Sequence, residues 1–326
     1  MSALLSYADA LESLLTQLVP VRAQICALTQ SVGQVAAEDV RAPQPVPARA
    51  LALRDGYELA AQAIAGASSY APIVLASAPR FVAAGEALSS DCDCVVEASG
   101  LDLDGPLPQA LVESFPGENI RRAGEDFAQG ALLLRAGEMI SSQHTLLLSQ
   151  AGVQQVAVRA PVVELRGVDS LLAAYLRDQL MQAGARLDGV PDLVIVLGTK
   201  PNAQRLALEP GADLSFGEEH GVPAIYVPAR LDQVFAALHG FLRPALARLS
   251  GAKATDMRLP LAQKIASRVG VAEFALLEVR EGEFHLRALG DLPLQSLASV
   301  THVSLIAALS EGHAAGDVIS AIPVRA

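Results

Sequence analysis

Three apolar runs in the second half of the chain each lead to a basic residue. Val162-Val163-Glu164-Leu165 runs into Arg166, Leu193-Val194-Ile195-Val196-Leu197 is followed by Lys200, and Ala224-Ile225-Tyr226-Val227 leads to Arg230. The runs are short, rich in β-branched residues and bounded by turn-forming residues, as buried strands are. If they pair in parallel in one sheet, all three cations gather at its carboxyl edge, where open α/β sheets bind ligands. The formal charge is -11, so such a gathering stands out and points to a pocket for a small anion such as phosphate. The plainer alternative is that strand ends face solvent and that Lys or Arg there serves solubility.

Composition narrows the class. At 326 residues the chain can hold two to four domains. Hydrophobic residues make up 52% and mean hydropathy is +0.36, which fits a globular fold rather than a disordered one. Aromatic content is only 4%, so the core is expected to be aliphatic. No apolar run approaches the roughly 18 residues that would span a bilayer. Residues 1–18 carry Asp9 and Glu12 and no basic residue, unlike a signal peptide. The expectation is a cytoplasmic protein with no membrane partner. A pI near 5.0 also argues against nucleic acid, which needs a basic face. Only 3 residues are Lys, against 21 Arg, so Lys200 is one of few. The three cysteines form no disulfide framework. Asp91-Cys92-Asp93-Cys94 lacks a second ligand pair and Glu218-Glu219-His220 lacks a partner at helical spacing, so no metal site is expected.

Along the chain, Ser6 with Asp9 resembles a capping box, and Leu11, Leu14, Leu15 and Leu18 follow at helical spacing. A second short helix is expected over Gln24 to Ala36. Residues 48–115 alternate short apolar runs with turn residues, with Ile73-Val74-Leu75, Phe81-Val82 and Val95-Val96 as strands. A helix is expected from Ser142 to Ala151 and a strand from Val153 to Val158. A helix starting at Asp169 or Ser170 runs to Gly184. Residues 198–222 read as irregular. Phe274 to Val279 and Phe284 to Leu289, joined at Glu281-Gly282, read as a hairpin.

Several phrases together resemble the molybdopterin molybdenumtransferases, which include the E domain of gephyrin. They are Ser31-Val32-Gly33-Gln34-Val35-Ala36-Ala37-Glu38-Asp39-Val40, Asp55-Gly56-Tyr57, Gly117-Glu118-Asn119-Ile120-Arg121-Arg122-Ala123-Gly124-Glu125-Asp126-Phe127, Lys264-Ile265-Ala266-Ser267-Arg268-Val269-Gly270 and Gly316-Asp317-Val318. Their order spans nearly the whole chain. The resemblance implies an α/β plus β, multidomain fold in an elongated, homodimeric subunit. Residues 1–47 and 116–159 would form an elongated helical and linker domain, and 48–115 a small β domain. Residues 160–252 would form a truncated α/β domain like the family's molybdopterin-binding one, and 253–326 a C-terminal β-barrel. The family's reaction inserts molybdate into the dithiolene of an adenylated pterin and hydrolyses the adenylate with a divalent cation.

The departures concentrate in residues 160–252. Where the family has a Gly-Gly-x-Ser-x-Gly loop with a downstream Asp, this chain has Gly198-Thr199-Lys200-Pro201-Asn202, with no acid until Glu209. The family's Pro-Gly-Asn-Pro turn falls on Pro228-Ala229-Arg230-Leu231, the lysine of its Pro-Gly-Lys-Pro segment on Ala212, and the threonine of its small β domain on Ala84. Its Gly-Asp-Glu turn is Val168-Asp169-Ser170 here. Two readings follow. In the first the chain is a transferase whose surviving acids are Asp55, Glu125 and Asp169, although these also suit a turn, a brace and a helix cap. In the second it is a non-catalytic carrier or scaffold for molybdopterin or molybdenum cofactor, serving a molybdoenzyme or a genuine molybdenumtransferase. Arg166, Gly198, Thr199, Lys200 and Arg230 would then hold the phosphate without magnesium.

Overall fold

The computed structural model describes residues 4–168, 170–253 and 255–324. The chain divides into two compact units: Met1–Glu38, Arg135–Ser141 and Val156–Ala326 form one, and Asp39–Leu134 with Ser142–Gln155 the other. The helices are α1 (Tyr7–Gln17), α2 (Ser142–Gln150), α3 (Leu171–Gln182), α4 (Leu231–Ala237) and α5 (Arg243–Ser250). None is long and apolar enough to cross a membrane.

In the first unit the three basic-ended runs are the strands Val163–Arg166, Leu193–Leu197 and Val222–Val227. They pair in parallel in that spatial order, Leu165 beside Ile195 and Ile195 beside Ile225. Ser215–Glu219 adds an antiparallel edge. Side chains alternate across a strand, so this register turns Val163, Leu193, Ile195, Ile225 and Val227 to one face. All five are buried in one core with Leu176 and Leu180 of α3 and Val234 and Phe235 of α4. The N-cap of α3 is Ser170, whose hydroxyl accepts from the Ala173 N–H at 3.2 Å. Ser6 caps α1 in the same way, through the Asp9 N–H.

A second sheet shares that core. Its strands run in the order Leu5–Ser6, Leu206–Glu209, Ala272–Arg280, His302–Ile306, Val318–Pro323 and Met257–Pro260, with Glu283–Leu289 also on Ala272–Arg280. Ala272, Phe274 and Leu276 face the shared core, while Ala275 and Leu277 face a smaller one with Phe284, Ile306 and Ile319. The sheet curls back on itself, since Leu261 bridges Phe284. Segments 160–252 and 253–326 are therefore joined by one apolar layer. Leu206–Glu209 strengthens the joint by leaving the first region to pair in parallel with Ala272–Arg280.

Helices α4 and α5 are linked by a π-helical turn, Leu238–Leu242. Pro244 explains it: proline has no N–H to give the Gly240 carbonyl. The Tyr7 hydroxyl supplies the missing donor at 2.9 Å. Burial pushes the Tyr7 phenol up to about 12.

The second unit contains α2 and a set of two- and three-stranded sheets. Gly56–Leu59 pairs with Phe81–Val82 and with Cys94–Val96. The Glu58 carboxylate, 4% exposed, accepts from Arg80 at 2.7 Å twice and from the Ser89 N–H and hydroxyl at 2.8 and 2.6 Å. Burial would raise its pKa, but the Arg80 and Ser89 hydrogen bonds prevail and hold it down to about 2.

Two expectations need correcting. The helix expected over Gln24–Ala36 is a strand, Gln24–Ala27, then a single 3-10 turn at Leu28–Gln30 and a strand at Val35–Ala36. Gly33, at φ +81°, breaks any continuous helix there. Residues 198–222 are not irregular: they carry the strands Leu206–Glu209 and Ser215–Glu219. His220 and Gly221 both have positive φ, which makes the tight turn of a hairpin into Val222–Val227. By contrast the Glu281-Gly282 hairpin forms where expected, between Ala272–Arg280 and Glu283–Leu289.

Two tests follow. Tyr7→Phe removes the hydroxyl's bond to the Gly240 carbonyl and should cost about 0.5–1.5 kcal/mol. Because folding raises the Tyr7 pKa, its contribution is complete below the unfolded value near 10 and fades as pH rises towards 12; denaturant melts across that range should show this loss in the wild type and not in Tyr7→Phe. Leu276→Ala should cost about 2–5 kcal/mol and lower amide-exchange protection in Leu193–Leu197 as well as in its own sheet. Loss confined to its own sheet would show that the core is not shared.

Candidate functional site

The parallel order brings the carboxyl ends of Val163–Arg166, Leu193–Leu197 and Val222–Val227 to one edge. The face opposite the core carries Glu164, Arg166, Tyr226 and Glu219, by the same alternation that buries Leu193 and Ile225. Arg166 clamps Glu164 through two bonds of 2.7 and 2.8 Å and reaches Glu219 at 3.1 Å. The other oxygen of Glu219 accepts from the Tyr226 hydroxyl at 2.5 Å. Lys200 lies 5.3 Å from the Tyr226 ring centroid and donates to the Phe216 carbonyl at 3.0 Å. Arg166 and Lys200 thus flank one hydrogen-bonded pair, Arg166 on Glu219 and Lys200 beside the Tyr226 ring.

The electrostatics follow from this pairing. The Arg166 hydrogen bond holds the Glu164 carboxyl below its ordinary range. The bond to Glu219, with burial, raises the Tyr226 phenol. Formal charges in this cluster balance, Arg166 and Lys200 against Glu164 and Glu219.

Arg230 belongs to a different cluster. It is the residue before α4, and it bonds Asp232 at 2.6 and 3.2 Å and approaches Asp213 at 3.6 Å. Asp213 also accepts from Arg205 at 2.9 Å. The Gly198 N–H is spent on the Val227 carbonyl at 2.8 Å, extending the sheet by one bond. Thr199 is exposed beside it. Reading the sequence missed Glu219, Tyr226 and Asp213 as partners of these cations. The signal for the first two was the hairpin turn at His220-Gly221, which folds Ser215–Glu219 back onto Val222–Val227.

Asp55 and Glu125 lie in the second unit, and each serves its own loop. Asp55 accepts from the Ala84 N–H at 2.8 Å, and Glu125 from the Arg122 N–H at 2.7 Å. Gly56 is needed for close approach, since a Cβ there would stand 2.6 Å from the Val96 carbonyl oxygen. Tyr57 packs edge-on to Phe81, centroids 5.5 Å apart. In the long matching phrase, Glu118 accepts from the Ser114 hydroxyl at 2.7 Å, Asn119 donates to the Val95 carbonyl at 2.9 Å, and Arg121 pairs with Asp126. Asp169 lies outside the described residues. Among the described residues no three His, Cys, Asp or Glu side chains gather closely enough to hold a metal ion. The described residues do not fit a divalent cation.

Asp55→Asn keeps the acceptor for Ala84 and should change stability by less than about 0.5 kcal/mol. Gly56→Ala should cost on the order of 1–3 kcal/mol by overpacking. Denaturant midpoints of the two variants check both values.

Residues 5–152 match the family model described as MoeA N-terminal region (domain I and II). The chain is similar to a molybdopterin molybdenumtransferase of Synechococcus elongatus, 23% identical over 395 aligned positions that cover 96% of this chain and 98% of that one. A Methanocaldococcus jannaschii protein is 27% identical over 140 residues, 40% of this chain and 35% of that one. Among solved structures, a molybdopterin biosynthesis MoeA protein from Pyrococcus horikoshii superposes with TM-score 0.68 at 22% identity, covering 98% of this chain and 100% of that one. A molybdenum cofactor biosynthesis protein from Pyrococcus furiosus gives 0.60 at 19% identity, covering 98% and 99%. These two likenesses show a multidomain fold of the same kind, with mostly strand content.

Proposed function

This chain belongs to the molybdopterin molybdenumtransferase family, and from that premise we propose that it works in molybdenum cofactor biosynthesis by holding a molybdopterin-type phosphate at the carboxyl edge of its parallel sheet. One observation carries the reading: Arg166, at the end of one strand, and Lys200, in the loop after the next, flank the Glu219–Tyr226 pair, Arg166 through Glu219 and Lys200 beside the Tyr226 ring. A phosphate arriving there exchanges with Glu219, taking the Arg166 donor that Glu219 now occupies. The Arg166–Glu219 pair is half-buried and its bond is charge-assisted, like the one to phosphate that replaces it, whereas a phosphate also gains a bond to Lys200 that contributes roughly 1.5–3 kcal/mol. Exchange is therefore favourable even though the resting edge is formally neutral. Arg230 joins by releasing Asp232 to Gln233, which already donates to that carboxylate at 3.3 Å. Thr199 offers a hydroxyl and Gly198 a carbon surface with no side chain.

The match along nearly the whole length of a molybdenumtransferase favours a second reading, in which the chain turns over. Asp55, Glu125 and Asp169 would then act on the substrate, with two copies pairing so that Asp55 of one reaches the edge of the other. That reading requires Asp55 and Glu125 to act through the one oxygen each does not spend on its loop N–H, and requires ligands for magnesium.

Calorimetry with molybdopterin and its adenylate, with and without magnesium, separates the two. Holding predicts binding indifferent to magnesium and no release of adenylate; magnesium-dependent turnover in the presence of molybdate would establish the transferase. Lys200→Ala should weaken molybdopterin binding about tenfold, or ~1.4 kcal/mol. Glu219→Gln, which removes the competing carboxylate, should strengthen it. Unchanged affinity in both variants would remove this edge from the site.

A further inference from the structure

A separate cavity of about 680 Å³ opens in the first unit. Leu172 of α3, Leu231 and Phe235 of α4, and Leu297 and Val300 give it apolar walls, and Gln179 is among its few polar groups. None of these residues belongs to the phosphate edge. A cavity of this size accommodates a small organic ligand.

Two polar groups behind the walls lack what their chemistry asks for. His239 stacks on Phe235 with ring centroids 4.3 Å apart and is 3% exposed, yet neither of its ring nitrogens has a hydrogen-bond partner. Arg243 follows four residues later. Its guanidinium donates to the Pro323 and Val324 carbonyls at 2.5 and 2.9 Å and, weakly, to the Gln179 side-chain oxygen at 3.4 Å. Among the described residues no carboxylate pairs with it. Burial lowers its pKa and the neighbouring Tyr175 raises it. A partly buried guanidinium without a counter-charge is costly. Val324 and Gln179, which hold Arg243, also line the cavity. The cavity is thus apolar along its body and cationic behind one polar wall.

We propose that this cavity binds an apolar monocarboxylate, with its hydrocarbon body against Phe235, Leu297 and Val300 and its carboxylate taking the place of Gln179 on Arg243. The weak Arg243–Gln179 bond is the one contact the ligand must break. The neutral His239 ring backs Phe235 and offers a nitrogen to a ligand oxygen if Phe235 shifts.

Titration calorimetry of the full chain with octanoate and with octan-1-ol tests this. Octanoate should bind saturably and about tenfold tighter than the alcohol. Arg243→Gln should bring the two affinities together, and Leu297→Trp, which fills the cavity, should abolish both. Absent saturable octanoate binding, equal affinity for acid and alcohol in the wild type, or an acid preference retained in Arg243→Gln would each overturn the proposal. If Arg243→Gln does not fold, the wild-type contrast and Leu297→Trp still decide it.

Discussion

The alternation of side chains along three parallel strands is the constraint from which the rest of this molecule follows. Val163, Leu193, Ile195, Ile225 and Val227 must share a face, because α3 and α4 bury that face. The pleat then leaves Glu164, Arg166, Tyr226 and Glu219 no choice but the other one. A one-residue slip would put an arginine and two carboxylates into a core of leucine, valine and phenylalanine. The chemistry of the edge and the packing of the core are therefore a single decision, made by the same register.

That edge is not the bare cationic cradle that three basic residues suggest. Arg166 and Lys200 are balanced by Glu164 and Glu219, and Arg230 and Arg205 by Asp213 and Asp232. The acids keep the cations ordered and solvated in a protein of net charge -11, and they make occupancy by an anion an exchange rather than a simple capture. An exchange of this kind favours a ligand with several phosphate oxygens over a monovalent anion, since each displaced carboxylate must be matched by more than one new bond.

Much of the fold was legible in the sequence because it rests on local pattern. The parallel strands were marked by β-branched runs, α1 by Ser6, the start of α3 to within Asp169 or Ser170, and the terminal hairpin by Glu281-Gly282. The failures share a cause. Leu206–Glu209 has four residues and finds its partners far away in the chain, so no local period shows it. Gln24–Ala27 has apolar spacing compatible with a helix, and pairing with Gln155–Arg159, together with the break at Gly33, decides otherwise. At the site, sequence marked the cations but not their acids, because Glu219 meets Arg166 only once a hairpin folds across the sheet. The family phrases mark something different again. Within Asp55-Gly56-Tyr57 and Gly117–Asp126, Asp55, Glu118, Asn119, Arg121 and Glu125 are held by neighbouring turns and strands of the second unit, so these phrases build loops there.

The most direct test of the edge is a crystal structure of the protein soaked in sulfate, with the anion located from its anomalous sulfur signal. Density is expected between the Arg166 guanidinium and the Lys200 ammonium, above the Tyr226 ring, with Glu219 turned away from Arg166. Saturating sulfate that leaves the Arg166–Glu219 pair intact, with no anion at that edge, would contradict it.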